Sequence, residues 1–463
     1  MPASDWPSAR SGHLTRVRIA FPLLTALYIA LRLVAFVGVA AVRYPDSQSY
    51  LDVAKEQFHS AAFFAGARPW TVPLLYKLLP DSDTYRIAGQ LVVSLLCWIA
   101  LAVATARCVR DKRLQFVAFA VVLLFSLSSS ITRWDSLILT ESLSISLTAA
   151  VVAAWMALLR GPRPSARSIA SVLLVTLLWT FARDTNAVLV VVAALLVLVW
   201  VACPGPKAGR IVLLTGLAGI ASASVLSTTT VDARLRRIQR PTLGAVGVRV
   251  LADPDMTRYF RHHGMPAPTP RVRANAARLK ALGGGLPTDP ETEIFLDWVR
   301  GHGRPTLGRY LLTHPRAATL PLFTESAILV DESPGYRPPG ARPVLPPVLR
   351  SLVYPGPGVA AFAVAAGVLL AGVAVARRSG ARREWAVPVV ALLALIPYAS
   401  VIWYGDAFDV ARHALLVKVG LRLCPLLLTL LVIDAYLDPR VSRRSARFVH
   451  AATICTMSPS VAA

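Results

Sequence analysis

The sequence predicts an all-α membrane protein that crosses the bilayer several times. Of its 463 residues, 55% are apolar and 16% are charged, whereas soluble proteins carry about 25% charged residues. The mean hydropathy is +0.56. Lysine and arginine number 49 against 25 acidic residues, a net charge of +24. A nucleic-acid-binding protein can be this basic but would not also be this apolar. We therefore assign the excess charge to loops on one side of a membrane.

The chain contains ten apolar segments that predict membrane-spanning helices, because a helix that crosses the hydrocarbon needs about 20 apolar residues. The fifth and sixth are short, so they are tilted, re-entrant or wrongly bounded. The first is too long for the apolar part of a signal peptide, and we expect it to be retained. Arg32 lies inside it and should face the bundle or snorkel to the surface. The ten segments are 17–40, 88–106, 114–131, 137–159, 168–182, 187–202, 211–227, 352–376, 385–403 and 415–436.

Basic residues precede the first span and follow every even-numbered span, which predicts that both termini are cytoplasmic. The outer side then carries a first loop, 41–87, and one large loop, 228–351. The predicted organisation is an N-terminal membrane module (1–227), an extracytoplasmic loop domain (228–351), three C-terminal spans (352–437) and a basic cytoplasmic tail (438–463). The basic residues that set this orientation include Arg10, Arg16, Arg107, Arg110, Arg160, Arg163, Lys207, Arg210, Arg377, Arg378, Arg440 and Arg443.

Missing motifs argue against an ATP-driven pump and against disulfide, zinc or redox sites. The sequence has no GxxxxGK[ST] loop, which argues against an ATP-driven pump. None of its five cysteines falls on the predicted outer side, and no CxxC pair occurs. We therefore expect neither an exported disulfide nor a zinc or redox site.

The first outer loop begins with a carboxylate at the membrane surface. Asp46 lies just past the first span, and the next acid is Asp52. Apolar residues from Ser49 to Phe64 follow a spacing that predicts an amphipathic helix at the interface. Asp46 either caps this helix or points into a cavity between spans.

Other ionisable residues lie at the predicted outer ends of later spans. Asp135 falls in a turn, and Glu141 falls inside the start of the fourth span, where a charge is costly unless it faces a polar cavity. Arg183 and Asp184 either pair with each other or contribute to a site. In the segment 404–413, YGDAFDVARH, three-residue spacing puts acids and a cation on one helical face. The segment is either a phosphate clamp or a local ion-pair cluster, and its ionisable residues are Asp406, Asp409, Arg412 and His413.

Together these motifs resemble the GT-C superfamily of polytopic membrane glycosyltransferases, which includes protein O-mannosyltransferases, aminoarabinose transferases and many actinobacterial relatives. The resemblance covers most of the chain as an arrangement, although each motif is short. The residues that carry it are Asp46 after the first span, Arg68-Pro69-Trp70, Thr140-Glu141-Ser142 opening a later span, His314-Pro315, and the Asp…Arg412-His413 motif.

The resemblance implies a GT-C-like bundle with interfacial helices in the first outer loop and a cell-envelope function. Such an enzyme moves a hexosyl or pentosyl group from a polyprenyl-phosphate donor to a hydroxyl of a lipid, glycan or protein, with inversion, on the outer face of the cytoplasmic membrane. Nucleic acid is not an expected partner. Asp46 would be the general base, with Asp52, Asp135 and Glu141 as supporting acids. Arg412, His413 and Arg183 would bind the donor phosphate, and the further site candidates are Asp184, His314, Asp406 and Asp409.

Family members often carry two adjacent acids after the first span, whereas Ser47 follows Asp46 here. The resemblance therefore implies no certain cofactor and leaves a divalent cation open. Two other functions compete with a transferase. A secondary transporter or lipid-precursor flippase would place its ionisable groups near the bilayer midplane, and a non-catalytic scaffold would need none. The clustering of acids at span ends favours the transferase.

Overall fold

The protein is all-α and polytopic, as the sequence predicts. The structure, a computed structural model, describes residues 9–161, 163–277, 290–331, 338–379, 382–405, 407 and 409–437. Across these ranges there is no β-strand, and the one isolated β-bridge joins Val42 to Leu137.

Ten long helices coincide with the ten predicted apolar segments. Seven are long and apolar enough to cross a membrane, and an eighth crossing results if Lys112–Ser126 and Ser129–Ser136, bent by 53° relative to each other, form one broken span. The fifth and sixth are shorter, with 15 and 17 residues, as their sequences indicated. We label them α1 (Ala9–Phe36), α2 (Asp83–Cys108), α3 (Lys112–Ser126), α4 (Glu141–Arg160), α5 (Ala166–Thr180), α6 (Asn186–Ala202), α7 (Ala208–Leu226), α8 (Gly358–Ser379), α9 (Ala386–Gly405) and α10 (Leu415–Leu437).

The centre of the bundle is built from α2, α4 and α10, which are the most buried of the spanning helices. Helix α2 packs against α3 and α4, while α8 and α9 both pack against α10. The outward faces of the peripheral helices α1, α6, α7 and α8 carry exposed apolar side chains, as expected of helices that face lipid. Examples are Leu23, Val34, Val199, Val225 and Leu370.

A buried ion pair ties α1 to the bundle. Arg32 is 1% exposed. It donates to Asp135 Oδ2 at 2.5 Å, to Ser94 Oγ at 2.7 Å and to the Ser126 carbonyl at 2.9 Å. Asp135 also accepts from Ser142 Oγ at 2.6 Å. The arginine therefore faces the bundle and connects four helical segments, which satisfies an otherwise costly charge in a spanning helix.

The first loop contains three short helices, Ser47–Lys55, Ala61–Phe64 and Thr71–Lys77. The expectation of one amphipathic helix from Ser49 to Phe64 is therefore wrong. The chain becomes extended at Glu56, and the Ser60 side chain accepts a hydrogen bond from the Phe63 amide to begin a new helix. A local cap thus overrides the apolar periodicity.

Most described residues of the segment 228–351 are helical, and the longest exceptions are 263–269 and 338–346. Residues 265–269 are irregular, as their prolines predict, whereas 278–289 lie outside the described residues. The stretch 291–312 is one helical path that passes through the π-helical turn Val299–Gly303. The helical pieces are Val231–Ala233, Arg234–Gln239, Arg240–Ala245, Val246–Val250, Pro254–His262, Pro270–Ala277, Pro290–Trp298, Val299–Gly303, Arg304–Thr313, Pro315–Thr324, Ser326–Val330 and Pro347–Val353.

Candidate functional site

The segment that carries Asp46 is fixed against the start of α4 by backbone and side-chain hydrogen bonds. The Val42 amide donates to the Ser136 carbonyl, and the Ile138 amide donates to the Val42 carbonyl, both at 3.0 Å. Ser47 Oγ donates to the Ile138 carbonyl at 2.7 Å. These contacts hold Asp46 at the end of the bundle where α4 begins with Glu141.

Asp46 is bound by two arginines from distant parts of the chain. Arg68 Nη2 donates to Asp46 Oδ1, and Arg412 Nη2 donates to Asp46 Oδ2, each at 2.6 Å. Arg68 Nε also donates to Ser49 Oγ at 2.7 Å, and its guanidinium lies 4.8 Å from the centroid of the Tyr50 ring. Both carboxylate oxygens therefore have a cationic partner, although the Asp46 side chain is 33% exposed.

Arg412 is the common contact of three carboxylates. Its Nε lies 3.0 Å from Asp409 Oδ2 and 3.6 Å from Glu141 Oε1, while its Nη2 binds Asp46. His413 Nε2 lies 3.2 Å from the same Nη2. The three-residue spacing of Asp409 and Arg412 thus forms the ion pair that helical geometry predicts.

Arg183 approaches this cluster from the turn between α5 and α6. Its Nη2 lies 3.8 Å from Glu141 Oε1, and its buried Nη1 has no hydrogen-bond partner. The turn is held by the first loop, because the Thr71 amide donates to the Phe181 carbonyl at 3.0 Å and Trp70 stacks on the Phe181 ring. The segment after Arg68 therefore positions Arg183 as well.

We call the set Asp46, Arg68, Glu141, Arg183, Asp409 and Arg412 the mouth cluster; it has three carboxylates and three guanidiniums. Burial by itself raises the pKa of Asp46. Arg68 and Arg412 outweigh burial and lower the pKa from 3.8 to about 2. The pKa of Arg68 is raised because the effects of Tyr50 and Asp46 outweigh its burial. Asp46 is thus ionised at neutral pH and, in this arrangement, a weak base.

The other predicted site residues lie outside the mouth cluster. Asp52 is exposed and accepts from Gln48 at 2.7 Å. Asp135 is buried with Arg32, so it does not line the mouth. Asp184 does not pair with Arg183; it binds Arg237. His314 stacks on the Tyr310 ring at 4.4 Å between centroids, and Asp406 lies outside the described residues.

Sequence reasoning missed the role of Arg68. The Arg-Pro-Trp tripeptide contributes only to the family resemblance in the sequence, whereas in the structure its arginine binds Asp46. Asp46 and Arg68 lie in the same loop with opposite charges, and this is the signal from which their contact could have been predicted. In the described part of the chain, no group of three or more His, Cys, Asp or Glu side chains could hold a metal ion.

No protein-family model and no curated protein sequence matches this chain. Among solved structures, the fold is similar to the archaeal oligosaccharyltransferase AglB from Archaeoglobus fulgidus, solved with an inhibitory peptide and a dolichol-phosphate, at a TM-score of 0.46 and 11% identity. AglB has the GT-C fold. The match covers 94% of this chain and 52% of that one, so this chain spans about half the length of its neighbour. At this score the similarity is one of helix arrangement and carries no information on the reaction.

Proposed function

We propose that the protein is a membrane glycosyltransferase that moves a sugar from a polyprenyl-phosphate donor to an acceptor hydroxyl. The observation that supports the proposal is the Asp46 carboxylate at the end of the bundle, held by Arg68 and Arg412, with Arg183 close to the same cluster through Glu141. An ionised carboxylate, partly exposed at the end of a helical bundle and faced by arginines, suits the transfer of a group away from a phosphate.

The phosphate-binding part of the site is assigned to Arg412, His413 and Arg183. A guanidinium can bond two phosphate oxygens at once, which makes arginine the usual partner of a phosphate that carries developing charge. Arg183 supports this assignment because its buried Nη1 has no hydrogen-bond partner and its nearest carboxylate oxygen is 3.8 Å away. A phosphate oxygen would satisfy that donor.

Donor binding also prepares Asp46 to act as a base. With Arg412 on Oδ2 and Arg68 on Oδ1, Asp46 has no uncommitted oxygen and a pKa of about 2. When the donor phosphate takes Arg412, Oδ2 is released and the pKa of Asp46 rises. Arg68 continues to hold Oδ1 and keeps the carboxylate oriented. The base is therefore competent once the leaving group is in place.

The chemical step is a single inverting displacement. The acceptor oxygen attacks the anomeric carbon, its proton passes to Asp46 Oδ2, and the bond between that carbon and the phosphate oxygen breaks. The electron pair leaves with the polyprenyl phosphate, whose charge Arg412 and Arg183 stabilise. A phosphate is a good leaving group and needs this charge stabilisation more than a proton.

The acceptor is assigned to a cavity of about 290 Å³ beside the first loop. Ser49, which accepts a hydrogen bond from Arg68, lines this cavity, and so do Asp52 and Asp232. Because Arg68 donates to both Ser49 and Asp46, these two contacts connect the cavity wall to Asp46. Asp52 would contact the acceptor here, whether that is a lipid, a glycan or a protein, and would not act as the base.

The proposed location is the cytoplasmic membrane, with both termini inside and the mouth cluster facing outward. Nucleotide sugars are cytoplasmic, so an outward-facing site requires a sugar that is already attached to a lipid. The basic residues after each even-numbered span support this orientation.

The proposal is tested by Asp46→Asn. In membranes, the variant should lose sugar transfer from a radiolabelled polyprenyl-phosphate donor, because the amide of asparagine does not act as a base. The variant should still be present in the membrane and, after extraction, should elute as folded protein in size-exclusion chromatography. Asp255→Asn is the matched control, since Asp255 is exposed and paired with Arg258 away from the cluster. Near-normal turnover in Asp46→Asn would exclude the base role, and movement of unreacted donor across the membrane would favour a flippase.

A further inference from the structure

Arg183 lies in a tight turn, residues 181–186, that joins α5 to α6. It reaches the mouth cluster from this turn. The Asn186 amide donates to the Arg183 carbonyl at 3.0 Å, and the next amide, that of Ala187, donates to the Asp184 carbonyl at 3.3 Å. The direction in which the Arg183 side chain points therefore depends on how this turn is anchored.

Neutral contacts anchor the two flanks of the turn. On one flank, the Thr71 amide donates to the Phe181 carbonyl at 3.0 Å. On the other, Thr185 Oγ1 lies 3.0 Å from the Tyr398 hydroxyl of α9, and Asn186 Nδ2 donates to the carbonyl of residue 179 at 2.8 Å. These contacts hold the chain on either side of Arg183.

The residue beside Arg183 is held by a buried arginine from the large outer loop. Arg237 Nε donates to both carboxylate oxygens of Asp184, at 3.0 Å and 3.1 Å, and its Nη2 donates to Oδ1 as well. The Arg237 side chain is 3% exposed. A guanidinium that meets a carboxylate with two N–H groups fixes the orientation of the carboxylate as well as its distance. Asp184 is therefore held in one orientation, and the backbone of Arg183 is held with it.

The same guanidinium is bonded to the end of α7. Arg237 Nη1 donates to the Ser227 carbonyl at 3.0 Å, and Nη2 donates to Ser227 Oγ at 3.1 Å. Ser227 directly follows α7 and is buried. One planar group thus joins the end of α7 to the turn between α5 and α6. A lysine cannot reproduce this connection, because its ammonium presents a single nitrogen.

We propose that Arg237 is a positioning residue, which acts through Asp184 to hold the Arg183 guanidinium where it binds the phosphate of the donor. The inference rests on the proposed function, in which Arg183 binds that phosphate. It also joins the two halves of the site, because the chain just before Arg237 belongs to the wall of the acceptor cavity. The residues of this chain segment that line the cavity are Thr230, Asp232 and Arg236.

The test measures the dissociation constant of undecaprenyl phosphate for the full-length protein in a neutral detergent, by native mass spectrometry. The variants are Arg237→Lys, Asp184→Asn, Arg183→Gln, and the combination of Arg183→Gln with Arg237→Lys. Asp184 is 39% exposed, so Asp184→Asn provides the test if Arg237→Lys does not fold. Hydrogen exchange of the amides in 183–188 reports on the turn itself, and unfolding temperature without lipid checks the fold.

Arg210→Lys is the matched control. Arg210 is also buried, at 5% exposure, and it donates to the Trp200 and Cys203 carbonyls at 2.8 Å and 3.0 Å. It connects α6 to α7 at the opposite end of α6 from Arg183. The control therefore makes the same substitution at a buried arginine between the same two helices, but away from the turn.

We expect Arg237→Lys and Asp184→Asn to speed exchange of the turn amides and to weaken binding of undecaprenyl phosphate. The loss in Arg237→Lys should be about tenfold or more, the contribution of a hydrogen bond to a charged group. Arg210→Lys should change neither quantity. In the presence of Arg183→Gln, Arg237→Lys should cause no further loss of affinity, because the group that it positions is gone, whereas a merely structural loss would add to that of Arg183→Gln.

The inference is overturned if both turn variants bind undecaprenyl phosphate like the wild type while Arg183→Gln binds it more weakly. It is also overturned if exchange of the turn amides is unchanged, if the two losses add, or if Arg210→Lys loses as much. If Arg183→Gln itself binds like the wild type, the phosphate assignment in the proposed function is wrong, and this inference is wrong with it. The expected binding pattern in a protein that transfers no sugar would support the positioning role and contradict the transferase.

Discussion

Replacing Arg412 by lysine separates a phosphate-binding role from a structural one. Arg412 binds Asp46 Oδ2 at 2.6 Å through Nη2, and its Nε lies 3.0 Å from Asp409. A lysine ammonium is a single point that can occupy one of these positions but not both. Arg412→Lys therefore keeps the charge and removes the two-armed contact.

The expected loss follows from one charge-assisted hydrogen bond in the transition state. Such a bond contributes about 1.5–3 kcal/mol, which corresponds to a roughly 10- to 150-fold lower turnover. If the donor phosphate docks on Arg412, its charge grows as the sugar leaves. Turnover should therefore fall more than donor affinity, the pattern of an interaction that strengthens in the transition state.

The assay measures transfer from a radiolabelled polyprenyl-phosphate sugar at saturating donor, together with the donor dissociation constant. Arg309→Lys is the matched control because Arg309 is exposed. If Arg412 serves only as the structural partner of Asp409, the variant should instead lose stability, and changing both residues should restore it. A double-mutant cycle with Asp409→Asn on unfolding temperature and turnover distinguishes the two. Full turnover in Arg412→Lys would refute the clamp.

Three further predictions concern stability and topology. Asp135→Asn leaves Arg32 buried without its charge partner and should lower the free energy of unfolding by about 3–5 kcal/mol. The double variant that also carries Arg32→Leu should recover most of this loss. Equal unfolding temperatures for the single and the double variant would contradict this prediction. The pKa of Asp46 is lowered to about 2 from 3.8, so its ion pairs should stabilise the protein above pH 3.8, by about 1 kcal/mol after solvent screening. The difference in unfolding temperature between wild type and Asp46→Asn should then vanish as the pH falls through about 2, and a difference that persists there would exclude the ion pairs as its cause. Cysteines introduced in 41–87 should react with an impermeant reagent added from outside. Cysteines introduced in 160–167, and the exposed native Cys203, should not react. Strong labelling of 160–167 from outside would show that the predicted orientation is wrong.

The positions of the ten apolar helices were predictable from sequence because each depends on a local property, an apolar run, although only seven, or eight with the bent pair, are long and apolar enough to cross a membrane. The Asp409–Arg412 contact was predictable for the same reason, since three-residue spacing in a helix brings side chains together. Where two short caps compete with an apolar rhythm, as around Glu56 and Ser60, the local pattern predicted the wrong helix.

The pairings between distant residues could not be predicted in this way. Topology alone indicated that Asp46 and Arg412 lie at the same end of the bundle, but their contact depends on how α4 and α10 pack. Arg32 was recognised as a costly charge in a spanning helix and Asp135 as an acid in an outer turn, yet nothing in their spacing indicated that they neutralise each other. Asp135 was consequently counted among the site acids, although it is buried with Arg32.

The two partners of Asp46 are made at very different times during synthesis. Arg68 follows Asp46 by 22 residues, and Arg412 follows it by 366. At about 5–20 residues per second, the second partner emerges roughly 20 to 70 s after the aspartate. During that interval Arg68 can neutralise Asp46 while the early spans insert. Arg412 is made later, just before α10, the most buried spanning helix, and it completes the mouth cluster. A nascent chain therefore has a charge-neutralised Asp46 long before it has a complete site.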